Sequence, residues 1–229
     1  MKSGYVAPQR WLQWAMASAL LVLSLFAQAQ SQAQPASAAA SRAGAMQPRT
    51  LLVLGDSLSA AYGLAPSQGW VALTAERIVR SKPGWRVVNA SISGETTAGG
   101  AARAVREVVL HRPAVVVIEL GANDGLRGLS LRQTRTNLAR MIGAAQGVGA
   151  KVLLVGMRMP PNYGAAYTQA FERNYRDLAK LFDTALLPFL LEPIARDRSA
   201  FQADNLHPVA SAQPMLRDHV WRALEPLLK

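Results

Sequence analysis

The chain has 229 residues, half of them hydrophobic, which supports one sizeable folded domain and leaves too little for two. It holds no cysteine, which excludes disulfides, thiolate metal sites and a cysteine nucleophile; the three histidines, His111, His207 and His219, form no ligand cluster, so no metal and no cofactor is expected. The formal charge of +11 comes from scattered basic residues without interleaved aromatics, which argues against a nucleic-acid partner and leaves transient contact with anionic phospholipid surfaces as the expectation.

In chain order, Lys2 and Arg10 precede an apolar stretch, Trp11–Ala27, that closes on Ala27-Gln28-Ala29. A positive start, an apolar middle and a small-x-small end are the parts of a secretory signal peptide. The core from Ala15 to Ala27 is shorter than the roughly 20 residues of a spanning helix. Residues 1–29 therefore read as a signal peptide directing the protein to the periplasm or medium of a bacterium, with an uncleaved anchor as the alternative. Residues 30–48 are an Ala/Ser/Gln-rich lead-in without periodicity, and 49–229 are expected to form the folded, monomeric domain.

Within that domain, β-type apolar runs at Leu51–Leu54, Trp85–Asn89, Val115–Leu120, Val152–Val155 and Ala185–Leu187 alternate with helix-length amphipathic segments. The helices are expected over Trp70–Arg80, Ala98–Leu110, Leu131–Gln146, Tyr167–Phe182 and Ala210–Leu228, with Met215, Val220, Ala223 and Leu227 of the last facing the core. This alternation predicts right-handed crossovers, a five-stranded parallel sheet and a three-layer α/β/α sandwich.

In such a sheet every strand points the same way, so the loops after the strands share the edge where open α/β folds bind ligands. The first run stops at Gly55 and is followed by Asp56-Ser57, which places Ser57 near an expected helix N-terminus, fit to be a nucleophile whose oxyanion meets its own N–H. A plain helix cap is the competing reading. After the second strand, Gly94 allows close backbone approach and offers an N–H; after the third, Asn123 offers a side-chain amide, and Asp124 reads as a cap for the following helix. Before the last helix, Asp204 and His207 stand three apart on a turn, so Asp204 can hold Nδ1–H and leave Nε2 free for the Ser57 proton. After the fourth strand, Met157, Met159, Pro160 and Tyr163 read as one wall of an acyl groove, or alternatively as core filling. Ser59, Ser93, His111 and His219 are assigned no chemistry. No Gly-x-Ser-x-Gly elbow and no glycine-rich phosphate loop is present, which argues against the α/β-hydrolase elbow and against nucleotide binding.

These blocks resemble those of the GDSL esterase/lipase class, the SGNH hydrolases, named for a Ser, Gly, Asn and His in separate blocks. Gly55-Asp56-Ser57-Leu58-Ser59, Gly94, Asn123 in Gly-Ala-Asn-Asp, and Asp204-x-x-His207 occur in that order across Thr50–Leu228. Val-Asn-Ala-Ser-Ile-Ser-Gly at 88–94, Asn-Asp-Gly-Leu-Arg-Gly at 123–128, Pro-Asn-Tyr-Gly at 161–164 and Leu-Leu-Pro-Phe at 186–189 look like the exported bacterial branch that acts as arylesterase, acyl-CoA thioesterase and lysophospholipase. The resemblance implies a flavodoxin-like fold and hydrolysis of ester and thioester substrates. It further implies Ser57 as nucleophile, His207 as base, Asp204 as orienting acid, and Ser57, Gly94 and Asn123 as oxyanion donors. Ala122 and Asn205 stand where that branch often has glycine, which bears on substrate range more than on the reacting groups. An O-acyltransferase or carbohydrate O-deacetylase on the same fold, or a non-enzymatic lipid- or carbohydrate-binding module, are the alternatives left open.

Overall fold

Strands β1 (Arg49–Gly55), β2 (Trp85–Asn89), β3 (Val115–Glu119), β4 (Lys151–Val155) and β5 (Ala185–Leu187) form one sheet in the order β2-β1-β3-β4-β5, every neighbouring pair parallel. The structure, a computed structural model, describes residues 48–229; the signal-peptide reading and the lead-in up to residue 47 lie outside the described residues. Among the described residues six α-helices accompany the sheet: α1 (Trp70–Ser81), α2 (Thr97–His111), α3 (Ala122–Leu126), α4 (Leu131–Gly147), α5 (Ala165–Phe182) and α6 (Gln213–Leu224).

All five residues of β3 and Leu51–Leu54 of β1 are buried. A strand covered on both faces has no polar side, which is why these runs, apart from Glu119 at the end of β3, are continuously apolar rather than alternating. The crossover through α1 carries the chain from β1 outward to β2; the next, through α2, carries it back past β1 to β3. Right-handed crossovers in opposite directions place their helices on opposite faces. Accordingly α1 packs with α6, while α2 packs with α4 and α4 with α5. The reversal falls between β1 and β3, the topological switch point where ligands bind in such sheets.

The predicted sandwich and its sheet are the observed ones, and β2 and β5 agree end to end. Three details differ. The closing helix is not continuous over Ala210–Leu228: α6 is flanked by 3-10 turns at Ala210–Ala212 and Glu225–Leu227. Pro226 has no N–H to continue the ladder, which ends the helix at Leu224. Met215 is 44 % exposed instead of facing the core, because the buried stripe runs through Gln213, Leu216, Val220 and Leu224. Helix α3 was not predicted, since five residues are too few to show a period.

Candidate active site

At the end of β1, Gly55 leaves no room for a side chain: a Cβ would stand 2.7 Å from Ser59 Cβ and 2.9 Å from Ser91 Oγ. The chain then closes one helical turn, with Ala60 N–H donating to Asp56 O at 2.9 Å, and stops there. Ala61 and Gly63 take positive φ, 59° and 74°, a conformation that does not extend a right-handed helix. Ser57 therefore sits on an isolated turn and not at the expected helix N-terminus; α1 begins only at Trp70.

The loop before α6 brings the histidine to that turn. Asp204 Oδ1 accepts the N–H groups of Leu206 and His207 at 2.9 and 3.0 Å, folding the segment into a tight turn. Asn205 sits in its middle at φ 56°, a left-handed position that asparagine tolerates and glycine would favour. With the turn closed, His207 Nδ1 lies 2.6 Å from Asp204 Oδ2, and Nε2 lies 2.8 Å from Ser57 Oγ. The His207 N–H, the imidazole and the Leu206 N–H together hold the Asp204 carboxyl down at about 2.

Gly94 turns with φ 79°, and its N–H, like that of Ser57, has no intramolecular acceptor among the described residues. The Asn123 amide is engaged: Nδ2 donates to Asp56 Oδ2 and to Glu95 O, both at 3.1 Å. The Glu95 carboxylate is in turn gripped by Arg103 of α2 at 2.8 Å, which fixes the Gly94 turn from behind.

Beneath Ser57 lie two fully buried carboxyls. Asp56 accepts from Leu58 N–H at 3.0 Å and from Asn123; burial pushes it up to about 6 against the pull of those bonds. Glu119, at the end of β3, accepts from Ser59 Oγ at 2.6 Å; burial first, and the Asp56 charge second, push it well above the usual carboxylate range. Asp124 does not cap the helix that follows it. Its carboxylate accepts from Thr97 N–H at 2.8 Å and from Thr97 Oγ1, so it caps the preceding α2, and it also takes Thr134 Oγ1 of α4.

Ser57, Gly94, Asn123 and His207 open on one cavity of about 490 Å³. Met157, Met159 and Pro160 line it, whereas Tyr163 does not; its hydroxyl donates to Leu126 O at 3.0 Å and braces the end of α3. Phe189, Leu191 and Phe201 line it as well, residues to which the sequence reading assigned no role. Phe189 alone carried a signal, standing just beyond a predicted strand on the functional edge. Tyr62 was also missed: its ring lies 4.4 Å from that of His207, a contact between loops with no mark in either segment.

Residues 53–213 match the family model described as the GDSL-like Lipase/Acylhydrolase family. The chain is 53% identical over 180 residues to "Esterase TesA" of Pseudomonas aeruginosa, a match covering 79% of this chain and 90% of that one. It is 43% identical over 179 residues to "Thioesterase 1/protease 1/lysophospholipase L1" of Escherichia coli, covering 78% and 85%. The crystal structure of TesA superposes with a TM-score of 0.76 at 52% identity, covering 78% of this chain and 99% of that one. The matched stretch runs from the strand that delivers Ser57 to the first residue of the helix after His207, and on that agreement of blocks, fold and family model the chain belongs to the GDSL-like lipase/acylhydrolase family.

Proposed function

We propose that this acylhydrolase cleaves carboxylic ester and thioester bonds, those of arylesters, acyl-CoA and lysophospholipids, through an acyl-enzyme on Ser57. The observation that carries the reading is the 2.8 Å approach of Ser57 Oγ to His207 Nε2 across 150 residues of sequence. Ser57 Oγ attacks the carbonyl carbon while His207 Nε2 takes its proton; Asp204 stays ionised and steadies the imidazolium through Nδ1–H. The tetrahedral oxygen accepts from the free N–H groups of Ser57 and Gly94. It also accepts from Asn123, whose amide exchanges one of its present acceptors for it; each donor contributes about 3 kcal/mol. The alcohol or thiol leaves with the His207 proton, and a water deprotonated by the same nitrogen releases the acid. The apolar wall of Met157, Met159 and Pro160 supports an acyl chain. The signal-like first 29 residues support export, and the basic composition supports transient contact with anionic phospholipid.

The test is a panel of p-nitrophenyl esters and acyl-CoA thioesters of increasing chain length, run with the wild type and Ser57→Ala. Ser57→Ala is expected to lose at least about 1,000-fold in kcat/KM on every substrate, and its labelling by a fluorophosphonate is expected to vanish. Retention of a tenth of the activity, or labelling at another residue, overturns the assignment.

A further inference from the structure

Arg127 follows α3 directly, four residues beyond Asn123; it is exposed and does not itself line the cavity, but stands beside Gly94 and Asn123, which do. One terminal nitrogen donates to Gly94 O at 3.1 Å and lies 3.5 Å from Asn123 Oδ1. Among the described residues its other nitrogens have no acceptor and no carboxylate stands within ion-pair distance. Arg158, the cation on the cavity wall, is neutralised instead, by Glu192 at 2.7 Å and Glu172 at 3.6 Å. The site thus presents one uncompensated guanidinium. It is tethered at one corner to the residue whose N–H faces the developing oxyanion.

That placement sets an upper limit on a distance. The guanidinium and the Gly94 nitrogen are linked through Gly94 O, so they stand no more than about 7 Å apart. In a 1-acylglycerol 3-phosphate, six bonds join the ester carbonyl carbon to phosphorus, an extended reach of about 7 Å by ordinary bond lengths. The phosphates of an acyl-CoA lie beyond the whole pantetheine arm, well past this position. The planar fork of arginine pairs with phosphate oxygens two at a time, which a point charge does not.

We propose that Arg127 is a specificity residue that binds the phosphate of a glycerol-phosphate leaving group, three carbons from the scissile ester, and so favours lysophospholipids over neutral esters of equal chain length. The inference rests on the Ser57 reading of the site and adds the leaving-group side to it. The same guanidinium steadies Gly94, so its removal lowers turnover of every ester somewhat; the ratio between substrates carries the information.

The experiment measures kcat/KM of the full chain on 1-hexanoylglycerol 3-phosphate, 1-hexanoylglycerol and p-nitrophenyl hexanoate, all below their micelle concentrations. Arg127→Gln is expected to lower the phosphate ester about tenfold more than either neutral ester, mainly through KM, with Arg127→Lys recovering part of the difference. The wild-type preference is expected to shrink as salt is added. Inorganic phosphate at the substrate concentration is expected to leave neutral-ester turnover unchanged, because a single ion pair without a tethering ester is weak in water. Equal losses on all three substrates, within twofold, overturn the proposal and leave Arg127 a positioning residue for Gly94. Inhibition by inorganic phosphate overturns it in favour of a free-anion site. If Ser57→Ala keeps its turnover of the neutral esters, the underlying reading fails whatever Arg127 does, so the two failures are distinguishable.

Discussion

Asp56 lies fully buried between the end of β1 and Ser57, and its carboxyl is raised to about 6 mainly by burial. A group whose folded value lies above its ordinary one favours folding in its protonated form. That contribution is complete below the ordinary carboxylate range, about 4, and is lost as the pH rises through about 6. A two-unit rise corresponds to on the order of 3 kcal/mol of stability lost between pH 4 and pH 7, and Glu119, also raised, acts with the same sign. The lowered acids, Asp204 at about 2 and Glu107, lose their stabilising effect only as the pH falls below that window. The wild type is therefore expected to melt at lower temperature at pH 7.5 than at pH 5, and Asp56→Asn, which cannot ionise, is expected to flatten that slope. Scanning calorimetry of both proteins across the range checks this, and parallel slopes count against it. The substitution is also expected to lower kcat about tenfold, since the new amide keeps one acceptor oxygen and must turn its NH2 on either the Leu58 N–H or the Asn123 Nδ2 donor. Ser57, His207 and Asp204 were legible from the sequence because each stands in a distinctive local pattern. The state of Asp56 was not, because it follows from burial at the end of β1, which strand pairing and the surrounding loops produce rather than local spacing.

At the scale of elements, the site is two loops held against each other, and Gln202 holds them. Its Nε2 donates to Tyr62 O at 2.9 Å and to Pro208 O at 3.1 Å, while its backbone N–H donates to His207 O at 2.8 Å. One residue thus bridges the loop that follows Ser57 and the loop that carries His207, and Tyr62 lays its ring on the imidazole within the same contact. Removing the amide cuts the tie to the Ser57 loop and one bond within the His207 loop, which loosens their separation, and misplacement of reacting groups by about 1 Å costs on the order of 100-fold in rate. Gln202→Ala is expected to lower kcat by tenfold or more with KM within twofold of wild type. Single-turnover acylation with a p-nitrophenyl ester reads the chemical step directly; an unchanged acylation rate would remove Gln202 from the positioning machinery. Such a brace leaves no trace in composition or period, and neither does the capping of α2 by Asp124 from the short helix α3. Local sequence marked where elements begin, whereas these bonds join positions distant in the chain.

Over the whole molecule, the parallel sheet alone gathers the functional loops, which is why the edge carrying the site followed from strand-helix alternation before any side-chain contact was known. What alternation does not specify is how the last helix returns to the first. Here α6 closes on α1 across the sheet order. Arg77 of α1 pairs with Asp218 at 2.9 Å and lies over the Trp221 ring at 4.3 Å. Gln213, buried at the start of α6, accepts the N–H of Trp70, the first residue of α1, at 2.9 Å. That N–H belongs to a helix start with no side-chain cap, so the Gln213 carbonyl stands in for one across 143 residues of sequence. Gln213→Leu keeps the volume and leaves a buried donor without an acceptor, a change that costs about 1–3 kcal/mol. For a domain of this size each kcal/mol moves the melting midpoint by about 2–4 °C, so a fall of roughly 2–12 °C is expected. Pro208 O keeps its bond from Gln202, and the Ser57–His207 pair its own loop contacts, so kcat well below the midpoint is expected to stay within threefold of wild type. The two glutamines then give opposite signatures, Gln202 acting on rate and Gln213 on stability. A loss of kcat in Gln213→Leu without a fall in melting temperature would contradict this separation of closure from positioning.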